Sequence, residues 1–186
     1  VTLLFHPHYL KEYNGRWHLF GHAEGRVPEF GYNIALDRIQ EKPRERSKVE
    51  YVPAPNHFYD EFFKDIVGVS HMMRALFPNK EHIVIRAHKH YIFKLIDTKP
   101  LHRSYEVVKP FGVYEDGEYA EFSVDVEMNN EFIGRVLQMG AGLEVMSPPK
   151  IRMIFATRVK DMVSYYLEHE EKLQRMVPNS EEPIGT

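Results

Sequence analysis

Cysteine is absent from this sequence, which removes disulfides, thiolate metal sites and thiol nucleophiles together and fits a reducing compartment. Long apolar runs are missing too. No stretch approaches the roughly 20 residues a membrane helix needs, and no signal-peptide pattern opens the chain, so a cytoplasmic protein with no membrane partner is expected. Positive charge is in short supply: 24 Lys and Arg stand against 27 Asp and Glu, a formal net charge of -3. Non-specific duplex DNA binding needs a broad cationic face, so any nucleic-acid contact must be local. Tryptophan occurs once, at Trp17 in the stretch NGRWHLFGH. Its place, core anchor or stacking platform, bears on the whole protein.

What is present reads as globular: 43% hydrophobic and 27% charged residues over 186 positions, enough for one large or two small domains. The first strand-like run, VTLLFH, starts at Val1, which reads as a piece of a longer protein. VTLLF, RWHLFG, YNIAL and VEYV are rich in β-branched and aromatic residues, and Asn14-Gly15 is a hairpin signal because both positions tolerate positive φ. The stretch EKPRERSK interleaves acids with bases and reads as a solvated loop. Asn56 is placed to cap a short helix with Phe58, Phe62 and Ile66 on one face, ended by Gly68. The turn-rich FPNKE then marks a boundary.

From residue 82 strands and helices alternate. HIVIRAH is a strand, and YIFKLI places Ile92, Leu95 and Ile96 at helical spacing before Pro100. A hairpin turns at Asp116-Gly117, with Ala120, Phe122, Val124 and Val126 alternating against polar residues. Asn129 or Asn130 caps a helix with Phe132, Val136 and Leu137 inward, ended at Gly140 or Gly142, and LEVM is a strand. Ser147 with Pro148 at the first helical position opens a last helix striped with Ile151, Ile154, Phe155, Met162, Val163, Tyr166 and Leu167. The predicted class is α+β: a small barrel unit over 1–66, a linker over 67–80, a ferredoxin-like sandwich with an added C-terminal helix over 81–172, and a frayed, flexible tail over 173–186.

The chemical motifs are few. MGAGLEV lies between a helix and a strand, the reverse of a phosphate loop, and reads as a helix C-cap. No hydrolase elbow, kinase set or nucleotide motif matches. His6 with His8 and His88 with His90 could each chelate a metal from one strand face, but no third ligand pattern accompanies them, so partly buried or surface histidines are the simpler reading. Glu115, Asp116 and Glu118 gather at a hairpin turn, where solvated charge is the ordinary explanation. Nothing reads as an enzyme, and neither a metal nor a cofactor is expected. In the strand after Asn14-Gly15, Arg16, His18 and Phe20 share one face and Trp17, Leu19 and Gly21 the other. The alternation predicts Trp17 and Leu19 in the core, with Arg16 and His18 facing a groove or solvent as donors to an anion. Ile34 and Leu36 share a face in NIALDRI, where Arg38 follows Asp37 at a strand end and could join Arg16 in one cationic patch.

FHPHYLKEYNGRWHLFGHAEG followed by NIALDRI resembles a WYL domain, the sensor module of bacterial transcription regulators. FKDIVGVS, KPLHRS and GAGLEVMSPPKIR are similar to the stretches that follow in the same family, so the resemblance spans nearly the whole chain. It implies an Sm-like or SH3-like β-barrel, then a C-terminal extension domain, with a DNA-binding helix-turn-helix for operator DNA ahead of them and outside this sequence. It further implies a nucleic-acid ligand, a single-stranded or cyclic oligonucleotide or another anionic effector, held by basic residues of the barrel. Carried over by position, Trp17, His18 and Leu19 take the motif's three places, His18 standing for the usual Tyr; Arg16 precedes them and Arg38 is the motif arginine of LDRI. Arg26 is the nearest match to an arginine expected before the last strand. With His6 on the proline-containing strand, the expected ligand-binding set is Arg16, Trp17, His18, Arg38, Arg26 and His6. The resulting expectation is a ligand-sensing, homo-oligomerising region of a regulator. Its rivals are an interaction module with no small ligand and a metal-dependent enzyme built on the histidine pairs.

Overall fold

The computed structural model describes residues 2–71, 73 and 75–176, with side chains described through Glu168. Its first sheet is antiparallel, with β1 (Phe5–Tyr13), β2 (Arg16–Ala23) and β3 (Tyr32–Ala35) side by side in that order. Asn14 and Gly15 form the expected tight turn with φ of 51° and 74°, which fixes Lys11 opposite His18 and Leu10 opposite Leu19. A 3₁₀ turn over 36–38 ends β3, and α1 (Phe58–Phe62) follows a long exposed loop.

Several expectations fail in this half. VTLLF is not the first strand; pairing starts at Phe5 and runs through HPHYLKEY. VEYV adds no fourth strand, because imidazoles take up the backbone of Val52: its N–H donates to His6 Nδ1 at 3.1 Å and its carbonyl meets His8 Nε2 at 2.7 Å. Neither sheet closes into a barrel. Asn56 does not cap α1, whose N-cap is His57 in the left-handed region, and Ile66 lies beyond its end.

The second half has β4 (Glu81–Ala87), α2 (His90–Thr98), β5 (Glu106–Tyr114), β6 (Gly117–Val126), α3 (Asn130–Leu137), β7 (Leu143–Ser147) and α4 (Pro149–Met176). Its strands form an antiparallel sheet in the order β5-β6-β4-β7. Ile83, Ile85, Phe122, Val124 and Val126 line its inner face, and Ile96, Phe132, Ile133 and Ile151 pack on them from the helices. The hairpin turns at Glu115-Asp116, one residue before the expected place, with Tyr114 paired to Gly117; Ala120, Phe122, Val124 and Val126 are buried as expected, but the opposite face is not wet, since Glu121 and Ser123 are buried too. Asn129 caps α3, its side chain accepting from Phe132 N at 2.8 Å. On α2 the buried set is Ile92, Phe93 and Ile96, with Leu95 left exposed. Helix α4 starts at Pro149, one residue later than expected, and runs to Met176 through the start of the expected tail; residues 177–186 lie outside the described ones.

Residues 64–71 knit the halves together. Glu127 N donates to Asp65 O at 2.7 Å, Asn33 Nδ2 to Val69 O at 3.3 Å, and Asn129 Nδ2 to both Val67 O and Ser70 O at 2.8 Å. Val67 and Phe77 belong to the core of the second sheet. Gly68 sits at φ +85°, and a Cβ there would lie 2.8 Å from Glu131 Cγ and 3.2 Å from Tyr13 Cζ, so this crossing requires glycine.

Candidate functional site

The first sheet has one covered face and one open face. On the covered face Phe20, fully buried, meets the rings of Phe63 at 4.9 Å and Phe62 at 5.8 Å, while Tyr9 stacks on Tyr59 at 5.2 Å. Lys11 Nζ lies 3.9 Å from the Phe63 ring centre, and burial pushes its pKa down. The aromatic residues of 58–63 therefore choose the side of β2 that carries Phe20. That reverses the expectation for Trp17 and Leu19: Trp17 is 50% exposed, and with Leu10, Leu19 and Ile34 it lies on the open face.

At the end of the sheet beside the Asn14-Gly15 turn, Arg16 Nε bonds Asp37 Oδ2 at 3.0 Å, tying the start of β2 to the 3₁₀ turn that also carries Arg38. Arg16, Trp17, Asp37 and Arg38 are all exposed. Three of the six expected residues lie at this end of the sheet but not on one face: Trp17 is on the open face, Arg16 alternates to the other with a carboxylate already on it, and Arg38 stands on the 3₁₀ turn. Such a set can stack a planar ring and pair with an anion, provided the anion competes with Asp37.

The other three go elsewhere. His18 points to the covered face, where its buried Nδ1 has no hydrogen-bond partner and the ring lies in the field of Glu131. His6 is at the far end of the sheet, opposite His22, with Nδ1 taken by Val52 N and Nε2 at 3.6 Å from Glu24 Oε1. A carboxylate beside the imidazole is a poor setting for an anion. Arg26 follows β2 at that same end, exposed, its backbone N–H bonded to Ala23 O.

Sequence reasoning passed over two clusters. In the seam between the halves, His71 Nδ1 meets Glu127 Oε2 at 2.7 Å and His71 Nε2 meets Phe62 O at 2.9 Å. Burial raises the pKa of Glu131 beside them against the bonds it accepts from its own backbone and from Val69. On the outer face of the second sheet, Arg86 bonds Glu121 Oε1 through Nε and Nη2 at 3.1 and 2.9 Å, bonds Asp116 at 3.0 Å, and lies 3.6 Å from the Tyr119 ring centre. Lys109 Nζ completes it, 3.1 Å from Glu121 Oε2. Asp116 is thus paired, not merely solvated as its turn position suggested. Every charge in this second cluster has a partner, so it braces the sheet and leaves nothing for a ligand. Arg86 and Glu121 face each other in the ladder, a pairing visible only once strand register is fixed.

The histidine pairs take structural partners. His8 meets Tyr59 OH at 3.1 Å as well as Val52 O, and His88 Nε2 meets Glu144 Oε2 at 2.8 Å. Among the described residues no group of three or more His, Cys, Asp or Glu side chains is placed to hold a metal ion.

Comparison with known families bears on the second half. Residues 79–163 match the WCX domain. This is a WYL-associated C-terminal domain, and the match covers β4 through the first part of α4. It fits a WYL-regulator type of protein and suggests a regulatory accessory role for the WCX region. No curated protein matches the chain. Among the described residues no helix is long and apolar enough to cross a membrane.

Proposed function

We propose that this chain is the effector-sensing region of a WYL-type bacterial transcription regulator, with the WCX region as a ferredoxin-like accessory domain and β1–β3 as part of an Sm-like or SH3-like unit. The effector is a single-stranded or cyclic oligonucleotide, or another anion with a planar group, bound at the Asn14-Gly15 end of the first sheet. Trp17 stacks on the planar group, and Arg16 and Arg38 pair with its phosphates. The observation that carries this reading is the exposed Trp17 at the sheet end where Arg16 bonds Asp37 and Arg38 follows on the 3₁₀ turn; the WCX match supports the regulatory setting. Occupancy would bias the arrangement of a DNA-binding domain elsewhere in the protein, and that domain alone would meet the operator. No catalytic role is proposed.

The test uses the single tryptophan. Trp17 fluorescence, titrated with short single-stranded DNA, RNA and cyclic oligonucleotides at low and moderate salt, should change saturably and weaken as salt rises. Arg38→Ala should weaken binding about tenfold, as expected for loss of one charge-assisted phosphate contact. Asp37→Asn should tighten it, because Arg16 loses its competing carboxylate and the anion loses a repulsive neighbour. Unchanged affinity in both variants overturns the site.

A further inference from the structure

Helix α4 buries Ile151 and Phe155 in its first turns, whereas every residue from Ala156 to Glu168 is exposed. Where that change falls, a groove of about 400 Å³ opens between α3, β7 and α4. Val136, Leu143, Val145 and Phe155 line it, and all four belong to the hydrophobic core of the second sheet. A groove that reaches the core offers an apolar molecule surface to cover, and its volume falls within the range of small-molecule sites.

The polar groups of the groove say what kind of molecule that is. Glu144 is fully engaged: Oε1 accepts from Arg152 Nη2, and Oε2 meets His88 Nε2 at 2.8 Å. Arg152 is held in turn by that carboxylate and by the Val145 carbonyl, to which Nη1 donates at 2.7 Å. The two charges offset each other. Lys160, two turns further along α4, also lines the groove, is exposed, and makes no ion pair among the described residues. No acid stands between 149 and 160 on this helix. Apolar walls with one uncompensated ammonium beside them complement a molecule that has an apolar body and a single negative charge. An oligonucleotide has the charge without the apolar body, so this is not a second place for the effector.

We infer that the groove between α3, β7 and α4 is a binding site for a small apolar monocarboxylate of medium alkyl chain length, its body against Phe155 and Val145 and its carboxylate on Lys160. The inference goes beyond the effector reading: it concerns a different sheet, a different ligand chemistry and a separate measurement.

Isothermal titration calorimetry of the whole chain with hexanoate, octanoate and decanoate tests it, at low salt and at pH 7 where the acids are ionised. One saturable site per chain is expected. Affinity should rise by up to about fourfold per methylene, the gain for burying an alkyl chain, and octanol should bind about tenfold more weakly than octanoate. Ala156→Phe fills the groove from an exposed helix position and should abolish binding, while Lys160→Glu should weaken octanoate at least about tenfold and leave octanol unchanged. Because both positions are exposed, the thermal midpoint of each variant should match that of the parent, which separates a lost site from a lost fold. No saturable binding of decanoate at millimolar concentration, or binding untouched by Ala156→Phe, overturns the site. Octanol as tight as octanoate, or Lys160→Glu without effect on octanoate, overturns the carboxylate assignment. Oligonucleotide titrations read from Trp17 should be the same in both variants as in the parent, so either reading can fail while the other stands.

Discussion

Trp17 and Phe20 sit three residues apart on β2 and exchange the roles their sequence predicts. The alternation of β2 was legible, and so was the pairing of Lys11 with His18, since a two-residue turn at Asn14-Gly15 fixes the register. Which face is buried was not legible, because it depends on where Phe62 and Phe63 arrive from some forty residues away. Phe20→Ala should therefore cost about 3–5 kcal/mol in urea unfolding, the range for a buried aromatic ring, and Trp17→Ala less than about 1 kcal/mol. Equal losses would mean that the open face is covered. Of the six expected ligand residues, Arg16, Trp17 and Arg38 lie at one end of the sheet because NGRW opens β2 and LDRI follows its neighbour β3, although Arg16 and Trp17 alternate across the sheet. His6 and Arg26 lie at the other end, and His18 turns to the covered face.

At the scale of elements, local signals served best where they were self-contained. The hairpin before β6, the apolar face of β6 and the Asn129 cap need only a few neighbouring residues to be read, whereas the burial of Glu121 and Ser123 on the other face of β6 was not legible. VEYV failed as a strand because its backbone partners are the His6 and His8 side chains, which no propensity describes. Asn129 does more than its sequence position suggests: its acceptor caps α3 while its two donors hold Val67 and Ser70. Asn129→Ala should destabilise the protein by about 2–4 kcal/mol, combining a lost cap with two buried carbonyls left unpaired. Asn129→Asp separates the two roles in the same denaturation assay. It keeps the cap acceptor but sets a carboxylate against two carbonyl oxygens, so recovery of stability in Asn129→Asp would leave capping as the whole effect.

For the whole molecule, stability should fall as acid is added. The Tyr119 hydroxyl and Arg86 hold Asp116 below the usual carboxylate range. Burial alone would raise Glu121 and Glu144, but Arg86 with Lys109 outweighs it for Glu121, and Arg152 with His88 for Glu144, so both end lowered. A carboxyl whose native pKa is lowered gives stability that is complete above its ordinary value and lost as pH falls through the native one. Burial lowers His102 as well, adding a loss of the same sign nearer neutrality. Glu131, raised by burial, works the other way and gains stability as its carboxyl protonates. Three carboxyls against one predict a thermal midpoint that drops between about pH 5 and 3, and Glu121→Gln should lower the midpoint at pH 7 while narrowing its gap from the parent at pH 3. A gap independent of pH would show that Glu121 contributes shape alone.

The sequence by itself determined the α+β class, the β-α-β-β-α-β-α order of the second half, and its turns and caps, because each follows from periodicity and turn chemistry over a few residues. Only the tertiary structure decided which face of β2 is buried, that the first sheet stays open, and that among the described residues the α4 stripe from Val159 to Leu167 is exposed. Those outcomes depend on contacts between segments far apart in the chain, and no local pattern of residues specifies which distant surface will arrive.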